Sequence, residues 1–259
     1  FENLEAKRQL FAKLEAAARP DAILASNTSS LKLADIAAEF RDPSRLVGIH
    51  FFNPVPLLQL VEVVSAENTN PEAAKNAAAF VRQIDKLPLP VKDSPGFLVN
   101  RVLGPYMLNA FRMLDHGARP ETLDRAMEDF GMPMGPAELA DTVGLDICLH
   151  AGKALAKGAT AVPAILEAKV ALGHLGKKTG QGIYKYVEGK PQKGEPEAYD
   201  QTLVDSLIEP YLEEAESALA EGIVADADLA DAGLIFGTGF APFRGGPLHY
   251  MKTRGKQAA

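Results

Sequence analysis

The sequence LVGIHFFNPVPLLQLVEVV, residues 46–64, contains two apolar strand-like runs on either side of an Asn-Pro-Val-Pro turn. The turn is too short for the crossover that parallel neighbours require, so the two strands can pair only antiparallel. A hairpin centred on Pro56 places His50 directly opposite Glu62, with Cβ atoms about 5 Å apart. A single histidine in an apolar run is usually a satisfied core residue, but burying two ionisable groups is costly unless they form a good pair. The register therefore favours a hydrogen-bonded imidazole–carboxylate pair, in which Glu62 fixes the tautomer of the His50 ring.

Helical and strand patterns alternate over residues 1–93, which predicts an α/β sheet covered by helices. Asn70 followed by Pro71 marks the start of one of these helices. Polar residues at SNTSS and at His50 follow predicted strands, where open α/β sheets bind their ligands. No glycine fingerprint for a dinucleotide occurs in the sequence. The other predicted elements are helices at 2–18 and 31–39 and strands at 22–26 and 88–92.

From residue 94 onward the strand pattern gives way to an all-α pattern, with a later copy of its first helix. The segment GPYMLNAFRMLDHG at 104–117 matches EPYLEEAESALAEG at 209–222 at a constant offset. This spacing predicts a duplicated helical unit whose copies pack their apolar faces, 98–115 and 203–220, on each other. Helices are predicted at 96–115, 120–130 and 137–156. The predicted domain ranges are 1–93, a first helical repeat at 94–186, a linker at 187–198 and a second repeat at 199–259.

Composition restricts the classes of partner. With 47% hydrophobic residues, 259 residues can form sizeable cores, and a net charge of -7 argues against binding to nucleic acid. Cys148 is the only cysteine, and neither a signal nor a transmembrane segment is recognisable, so we expect a soluble cytoplasmic protein. No metal site is expected, because the remaining histidines lack other ligands at suitable spacing; these are His116, His150, His174 and His249.

Three motifs, SNTSSL, HFFNPVPLLQLVEVV and KDSPGFLVNR, occur in an order and spacing that resembles the 3-hydroxyacyl-CoA dehydrogenases of fatty-acid β-oxidation. The tail FGTGFAPFRGGPLHYM resembles the second helical repeat of the multifunctional enzymes in this family. The resemblance implies that residues 1–93 form the second half of a Rossmann-type NAD-binding domain, followed by a duplicated C-terminal helical domain. The family's first strand and glycine-rich NAD loop are absent. We therefore expect the first half of that domain to precede Phe1, and the chain as given to have almost no dehydrogenase activity.

The resemblance also implies a reaction, in which an L-3-hydroxyacyl-CoA is oxidised to the 3-ketoacyl-CoA while a hydride passes to NAD. His50 matches the family's general base, a role in which a histidine side chain takes up the proton of a reacting group. Glu62 matches the carboxylate that orients this base and stabilises the imidazolium. The opening hairpin would thus carry the catalytic pair.

Five further positions receive roles from the resemblance. Ser29 and Asn100 match positions that bind the reacting oxygen and the thioester region, and we expect Asn53 to order the same pocket. Glu2 and Lys7 match positions on the nicotinamide ribose side of NAD. Without the family resemblance, Ser29 is better explained as the cap of a helix and Asn100 as a solvated residue. Glu2 and Lys7 would then belong to the exposed face of a helix.

Three functions remain open from the sequence. The duplication favours the dehydrogenase part of a multifunctional enzyme, with an enoyl-CoA hydratase unit upstream in the same chain and a thiolase subunit as partner. The second is a single-function 3-hydroxybutyryl-CoA dehydrogenase with a duplicated helical domain. The third is a non-catalytic docking fragment of a β-oxidation complex. The joint presence of Ser29, His50, Glu62 and Asn100 disfavours the third, because a scaffold does not need them.

Overall fold

The computed structural model describes residues 2–155 and 162–254. Residue contacts divide the chain into two compact units. The first contains the residues up to Arg101 together with Glu216–Thr238, and the second contains Val102–Ala215 and the described residues from Gly239 onward. The domain ranges expected from the sequence remain a prediction.

A four-stranded sheet forms the centre of the first unit. Its strands, in spatial order, are β1 (Leu24–Ser26), β2 (Leu46–Phe51), β3 (Leu60–Ser65) and β4 (Leu87–Lys92). The pairs β1–β2 and β3–β4 are parallel, whereas β2 and β3 are antiparallel. The register of β2 and β3 sets His50 opposite Glu62, which confirms the hairpin predicted from the short turn.

Helices α1 (Leu4–Ala17), α2 (Leu33–Ile36) and α3 (Pro71–Gln83) accompany this sheet. The start of α3 is capped as predicted, because the side chain of Asn70 accepts a hydrogen bond from the N–H of Glu72 at 2.9 Å. Alanine and valine side chains of α3 pack on β2 and β3 and form a buried apolar cluster. The α/β class predicted for this part of the chain is therefore confirmed.

The rest of the chain is mainly helical, as predicted. The prediction of a single helix at 137–156 is wrong. Gly144, with a φ of +109°, ends one helix, and the next helix begins at Leu145. Residue 156 lies outside the described residues. The elements are α4 (Val99–Asp115), α5 (Pro120–Phe130), α6 (Pro136–Val143), α7 (Leu145–Leu155), α8 (Ala164–Ala171), β5 (Tyr186–Val187), β6 (Lys190–Pro191), α9 (Gln201–Ala220), α10 (Ala227–Thr238) and α11 (Pro247–Thr253), with short 3-10 turns at Ala37–Glu39, Pro43–Arg45, Lys177–Thr179 and Pro242–Arg244.

Helices α4 and α9 contain the matching sequence segments, and they contact each other through equivalent residues. The rings of Tyr106 and Tyr211 meet edge to face with centroids 6.1 Å apart. Both helices end at a glycine of positive φ, Gly117 and Gly222, at the same place in the matching segments. Self-contact of equivalent residues is the signature of a local two-fold arrangement. The predicted packing of α4 on α9 is present, while the equivalence of two complete repeats remains a prediction.

The segment 193–199 lies along α5 and is called the strap below; residues 193–198 belong to the predicted linker 187–198. The ammonium of Lys193 contacts carboxylates of α5 and α6, at 3.2 Å from Asp124, 2.9 Å from Glu128 and 2.7 Å from Glu138. Further along, the N–H of Glu197 donates to a threonine hydroxyl of α5 at 2.9 Å. Among the described residues, no helix is both long enough and apolar enough to cross a bilayer.

Candidate active site

The centre of the candidate site is a buried pair at the end of the hairpin. His50 is 4% exposed and Glu62 is fully buried. Nδ1 of His50 lies 2.8 Å from Oε2 of Glu62. An ionised carboxylate only accepts hydrogen bonds, so Nδ1 is the protonated ring nitrogen and Nε2 is the one that can take a proton. The pair therefore has the tautomer that a general base requires.

The second oxygen of Glu62 is held by the start of α4. Oε1 accepts hydrogen bonds from the N–H groups of Leu98 and Val99, each at 3.0 Å. The first N–H groups of a helix have no partner within the helix and lie at the positive end of its dipole, so they stabilise an ionised carboxylate. Three hydrogen bonds thus fix Glu62 without the help of solvent.

A sharp turn before α4 directs these N–H groups at Glu62. In this turn Gly96 and Phe97 both have positive φ, +76° and +53°. A left-handed conformation costs a residue with a side chain roughly 1–2 kcal/mol, so the surrounding packing must hold Phe97 in place. The sequence motif KDSPGFLVNR indicates the family but does not show this role of its backbone.

Two aromatic rings enclose the imidazole. Phe52 lies edge-on to His50 with ring centroids 4.6 Å apart, and Phe97 lies at 5.5 Å. These rings limit the access of water to the pair, which strengthens its electrostatic interaction. Neither ring was identified from the sequence, although both belong to the quoted motifs.

The loop after β1 brings three of the predicted site residues together. The carboxylate of Glu2 accepts hydrogen bonds from the hydroxyl of Thr28 at 2.9 Å and from the N–H and hydroxyl of Ser29 at 2.8 and 3.2 Å. The side-chain amide of Asn100 donates to the carbonyl of Ser29 at 3.4 Å. Asn100 directly follows Val99, so the loop adjoins the helix start that binds Glu62.

The alternative role of Ser29 as a helix cap is filled by other residues. The hydroxyl of Thr28 accepts from the N–H of Leu31 at 3.1 Å, and the carboxylate of Asp93 accepts from the first N–H groups of α2. The side chain of Asn27 accepts from the N–H of Phe51 at 2.9 Å, which ties the loop to the end of β2 beside His50. Asp93 and Asn27 were missed, because their partners are distant in sequence.

Two predicted residues are not drawn into this network. Asn53 is exposed and Lys7 is partly exposed, and neither side chain has a hydrogen bond to a described residue. Their assignment to the substrate pocket and to NAD remains a prediction, as do the roles of Ser29, Asn100 and Glu2 toward ligands.

A second cluster of carboxylates lies in the second unit. Oxygens of Asp124, Glu128 and Glu138 all lie within 4.8 Å of one another, which is a spacing that could hold a cation. The ammonium of Lys193 already contacts all three, and the hydroxyl of Tyr184 donates to Asp124 at 2.8 Å. Burial raises the pKa of Asp124, and the nearby Lys193 charge opposes this rise. The cluster is thus an internal ion-pair network.

Comparisons with known proteins match both parts of the chain. Residues 1–94 match the family model described as 3-hydroxyacyl-CoA dehydrogenase, NAD binding domain, and residues 96–186 match that family's C-terminal domain. Among curated proteins, the fatty acid oxidation complex subunit alpha of Pseudomonas aeruginosa (strain LESB58) is 39% identical over 281 residues. That match covers 98% of this chain and 39% of the relative, so the chain spans about two fifths of the length of the relatives it matches.

Solved structures give the same picture. The 3-hydroxybutyryl-CoA dehydrogenase of Escherichia coli K12 superposes with a TM-score of 0.83 at 25% identity, covering 98% of this chain and 73% of that one. The dehydrogenase part of multifunctional enzyme 1 from C. elegans gives a TM-score of 0.62 at 30% identity, covering 92% and 59%. M. tuberculosis FadB2 gives 0.69 at 39% identity, covering 72% and 68%.

Proposed function

The chain belongs to the 3-hydroxyacyl-CoA dehydrogenase family, and from this premise we propose that it carries the general base for NAD-dependent oxidation of an L-3-hydroxyacyl-CoA to the 3-ketoacyl-CoA in fatty-acid β-oxidation. The observation that carries the proposal is the buried hydrogen bond between His50 and Glu62, with Glu62 anchored at the start of α4. Such an arrangement is expensive to bury and prepares one ring nitrogen, Nε2, to take a proton.

In the proposed reaction, Nε2 of His50 removes the proton of the substrate's 3-hydroxyl, and the C3–H bond supplies a hydride as the C=O bond forms. NAD, when bound, accepts that hydride. The Glu62 carboxylate stabilises the imidazolium that results, at no cost in reorganisation because it is already fixed by backbone N–H groups. Ser29 and Asn100 carry neutral donors that suit an oxygen whose negative charge increases in the transition state, and the Ser29 hydroxyl would turn from Glu2 to donate to it.

The residues present fit the ribose side of NAD. The carboxylate of Glu2 is held in place by Thr28 and Ser29 and would accept a hydrogen bond from a ribose hydroxyl. Lys7, on α1, would lie on the same side of the cofactor. Residues 1–94 contain no glycine fingerprint, so the residues named here would not bind the pyrophosphate in the way that such a loop does.

The similarity to fatty acid oxidation complex alpha subunits supports a proposal about assembly. We infer that the chain works together with an enoyl-CoA hydratase unit and a thiolase partner. Two observations support this: the relatives are named as alpha subunits of a fatty acid oxidation complex, and the sequence of α9 repeats that of α4. A cytoplasmic location is consistent with the single cysteine and is part of this proposal.

The test is a double-mutant cycle on His50 and Glu62 in the full-length gene product. The assay is reduction of a 3-ketoacyl-CoA, followed by loss of NADH absorbance at saturating cofactor. We expect His50→Ala to lower kcat by roughly 10²- to 10⁴-fold with little change in the KM for the acyl-CoA. Glu62→Gln should lose much of the same factor, and the double variant little more, because the pair acts as one unit.

The matched control is His116→Ala, since this exposed histidine hydrogen-bonds only within its own helix turn among the described residues. Its kcat should stay at the wild-type value. An active His50→Ala enzyme, or losses that add, would remove the pair from the mechanism. Parallel measurement on this 259-residue chain tests the expectation that it has almost no activity by itself.

A single-function 3-hydroxybutyryl-CoA dehydrogenase is the second candidate. It is favoured by the superposition on the E. coli enzyme, which covers 98% of this chain. The two candidates differ in acyl-chain preference, so kcat/KM for acetoacetyl-CoA and for a long-chain 3-ketoacyl-CoA should be compared. A strong preference for the four-carbon substrate would select the second candidate.

A further inference from the structure

We propose that residues 221–237, called the brace, position the catalytic pair from the second helical segment of the chain. The inference rests on the proposed function and adds a group of positioning residues that contact no reacting atom. It follows from contacts within the first unit, where the brace touches the residues whose N–H groups bind Glu62.

The first contact is an ion pair at the start of α4. Both terminal nitrogens of Arg101 bond to the carboxylate of Glu221, at 2.8 and 2.7 Å. The Arg101 side chain is only 12% exposed, so its position is fixed by packing as well as by the pair. Such bidentate ion pairs fix the orientation of the two side chains as well as the distance between them. Arg101 belongs to the first turn of α4, two residues beyond Val99.

The second contact continues the edge of the sheet. The N–H of Lys92, the last residue of β4, donates to the carbonyl of Ile223 at 2.8 Å. A backbone hydrogen bond at this place ties the beginning of the brace to the strand that leads into the turn before α4. The brace is therefore attached on both sides of that turn.

The third contact is the closest one. A Cβ atom placed on Gly237 of α10 would lie 2.6 Å from Cγ2 of Val99 and 2.9 Å from Cδ2 of Leu60. Real Cβ atoms essentially never come this close, so α10 rests on Val99 with no room for one further carbon. Val99 donates one of the two N–H groups that hold Glu62. A displacement of α10 would thus displace Val99, and with it the N–H group that holds Glu62 against His50.

Gly237→Ala tests this path. The added methyl group must push Val99 or α10 aside, and misplacement of a catalytic group by about an ångström can cost up to roughly 100-fold in rate. We expect kcat to fall roughly 10- to 100-fold while the KM for the acyl-CoA stays constant, because the brace touches no substrate group.

The matched control is Gly117→Ala. Gly117, unlike Gly237, has a positive φ, at +91°, and a Cβ there would have no neighbour within 4 Å. This variant should lose stability through backbone strain and keep the kcat of the wild type. Equal losses of kcat in both variants would overturn the proposal, since a general loss of stability would then explain them. A raised KM with an intact kcat in Gly237→Ala would overturn it as well.

A second readout does not depend on dehydrogenase activity. The Nδ1 proton of His50, assigned in NMR spectra by its loss in His50→Ala, should shift and exchange faster with water in Gly237→Ala but not in Gly117→Ala. An unchanged resonance in Gly237→Ala would overturn the positioning role. If the wild-type enzyme has no dehydrogenase activity, the proposed function fails, while this resonance still decides whether the brace positions the pair.

Glu221→Gln gives an independent variant if Gly237→Ala does not fold. The amide keeps the shape of the side chain and loses the charge that pairs with Arg101. We expect a smaller fall in kcat, roughly 2- to 10-fold, and a change in the same His50 resonance. Wild-type values for both in a folded Glu221→Gln protein would overturn the proposal.

Discussion

At the scale of single residues, the His50–Glu62 pair and Cys148 show two different consequences of the loss of water around a polar group. His50 and Glu62 are buried as mutual partners, so each compensates the loss of water around the other. Cys148 of α7 is partly buried, and its only hydrogen-bond contact to a described residue is a weak one, from Sγ to the carbonyl of Ala140 at 3.9 Å. Burial raises the pKa of its thiol from 9.0 to about 12. Desolvation of an unpaired thiol thus suppresses its ionisation, whereas a fixed partner allows two ionisable groups to be buried together.

This difference predicts the chemistry of Cys148. Only the thiolate reacts with alkylating reagents, so near pH 8 the native protein should react about 10³-fold more slowly than the chain unfolded in urea. Because the folded pKa is the higher one, the thiol stabilises the fold fully below pH 9, and this contribution is lost as the pH rises toward 12. Iodoacetamide labelling followed by mass spectrometry measures the rates. Equal rates in the two states would contradict the prediction.

Tyr106 offers a test of an unsatisfied group. Its hydroxyl is buried without a hydrogen-bond partner among the described residues. Tyr106→Phe should therefore change the free energy of unfolding by less than about 0.5 kcal/mol or increase it, because only an unpaired polar group is removed. Tyr106→Ala should cost about 3–5 kcal/mol, since the ring packs against Tyr211. Urea unfolding measures both. A loss above about 1 kcal/mol in Tyr106→Phe would instead indicate a bound internal water.

At this scale, the sequence predicts what short-range geometry decides. The register of His50 and Glu62 follows from the length of one turn, so the pair is predictable. The N–H groups of Leu98 and Val99 belong to a distant segment, and no side-chain pattern shows where a backbone N–H points. For that reason, two of the three hydrogen bonds that hold Glu62 are visible only in the structure.

At the scale of elements, the strap behaves as an anchored segment, although its polar composition is typical of a linker. Lys193 provides the positive charge for three carboxylates, one of which, Asp124, is almost fully buried. The sequence shows the charges, but it does not show that they converge, because about 65 residues separate Lys193 from α5. Composition therefore predicted the surface character of this segment and missed its attachment.

Lys193→Met should weaken the second unit, because it removes the charge and keeps most of the volume. Leaving the carboxylates unpaired should cost roughly 1–3 kcal/mol at pH 7, less than for a fully buried pair because Lys193 is partly exposed. Burial raises the pKa of Asp124, and loss of the Lys193 charge raises it further. An acid with a raised folded pKa loses stability as the pH rises, so the cost should be larger at pH 7 than near pH 4.

The exposed Lys190 provides the control for this measurement. Lys190→Met changes the net charge by the same amount, and its free energy of unfolding should stay within about 0.5 kcal/mol of the wild type. Similar losses in the two variants, or a loss in Lys193→Met that is independent of pH, would show that the cluster is not held by Lys193.

At the scale of the whole molecule, the chain order and the compact units do not coincide. Residues Glu216–Thr238 belong to the unit of the sheet, although more than 100 residues separate them from it. The cause lies in close packing at two glycines of α10, where a Cβ on Gly233 would come within 2.5 Å of Leu89. The sequence shows the repeat but not this packing, because a glycine in a helix does not indicate which residue it packs against.

A chain that ends at residue 186 would lack α9, α10 and α11. We expect it to be much less stable than the whole chain and to associate, because removal of α10 exposes Leu60, Leu89 and Val99 to water. Sedimentation velocity and urea unfolding of both chains test this expectation. A monomeric 1–186 chain with undiminished stability would show that α10 does not stabilise the sheet.

The two-fold relation of α4 and α9 has an evolutionary consequence. In a dimer of identical chains, one codon encodes both sides of a contact between equivalent residues, so a mutation changes both sides at once. Here two codons encode the two sides, and each copy can diverge alone. The offset that relates the tyrosines pairs Arg101 with Ser206 and Glu221 with His116, so the ion pair of the brace has no counterpart of the same chemistry. The Arg101–Glu221 ion pair is a difference between the two copies of the kind that this independence allows.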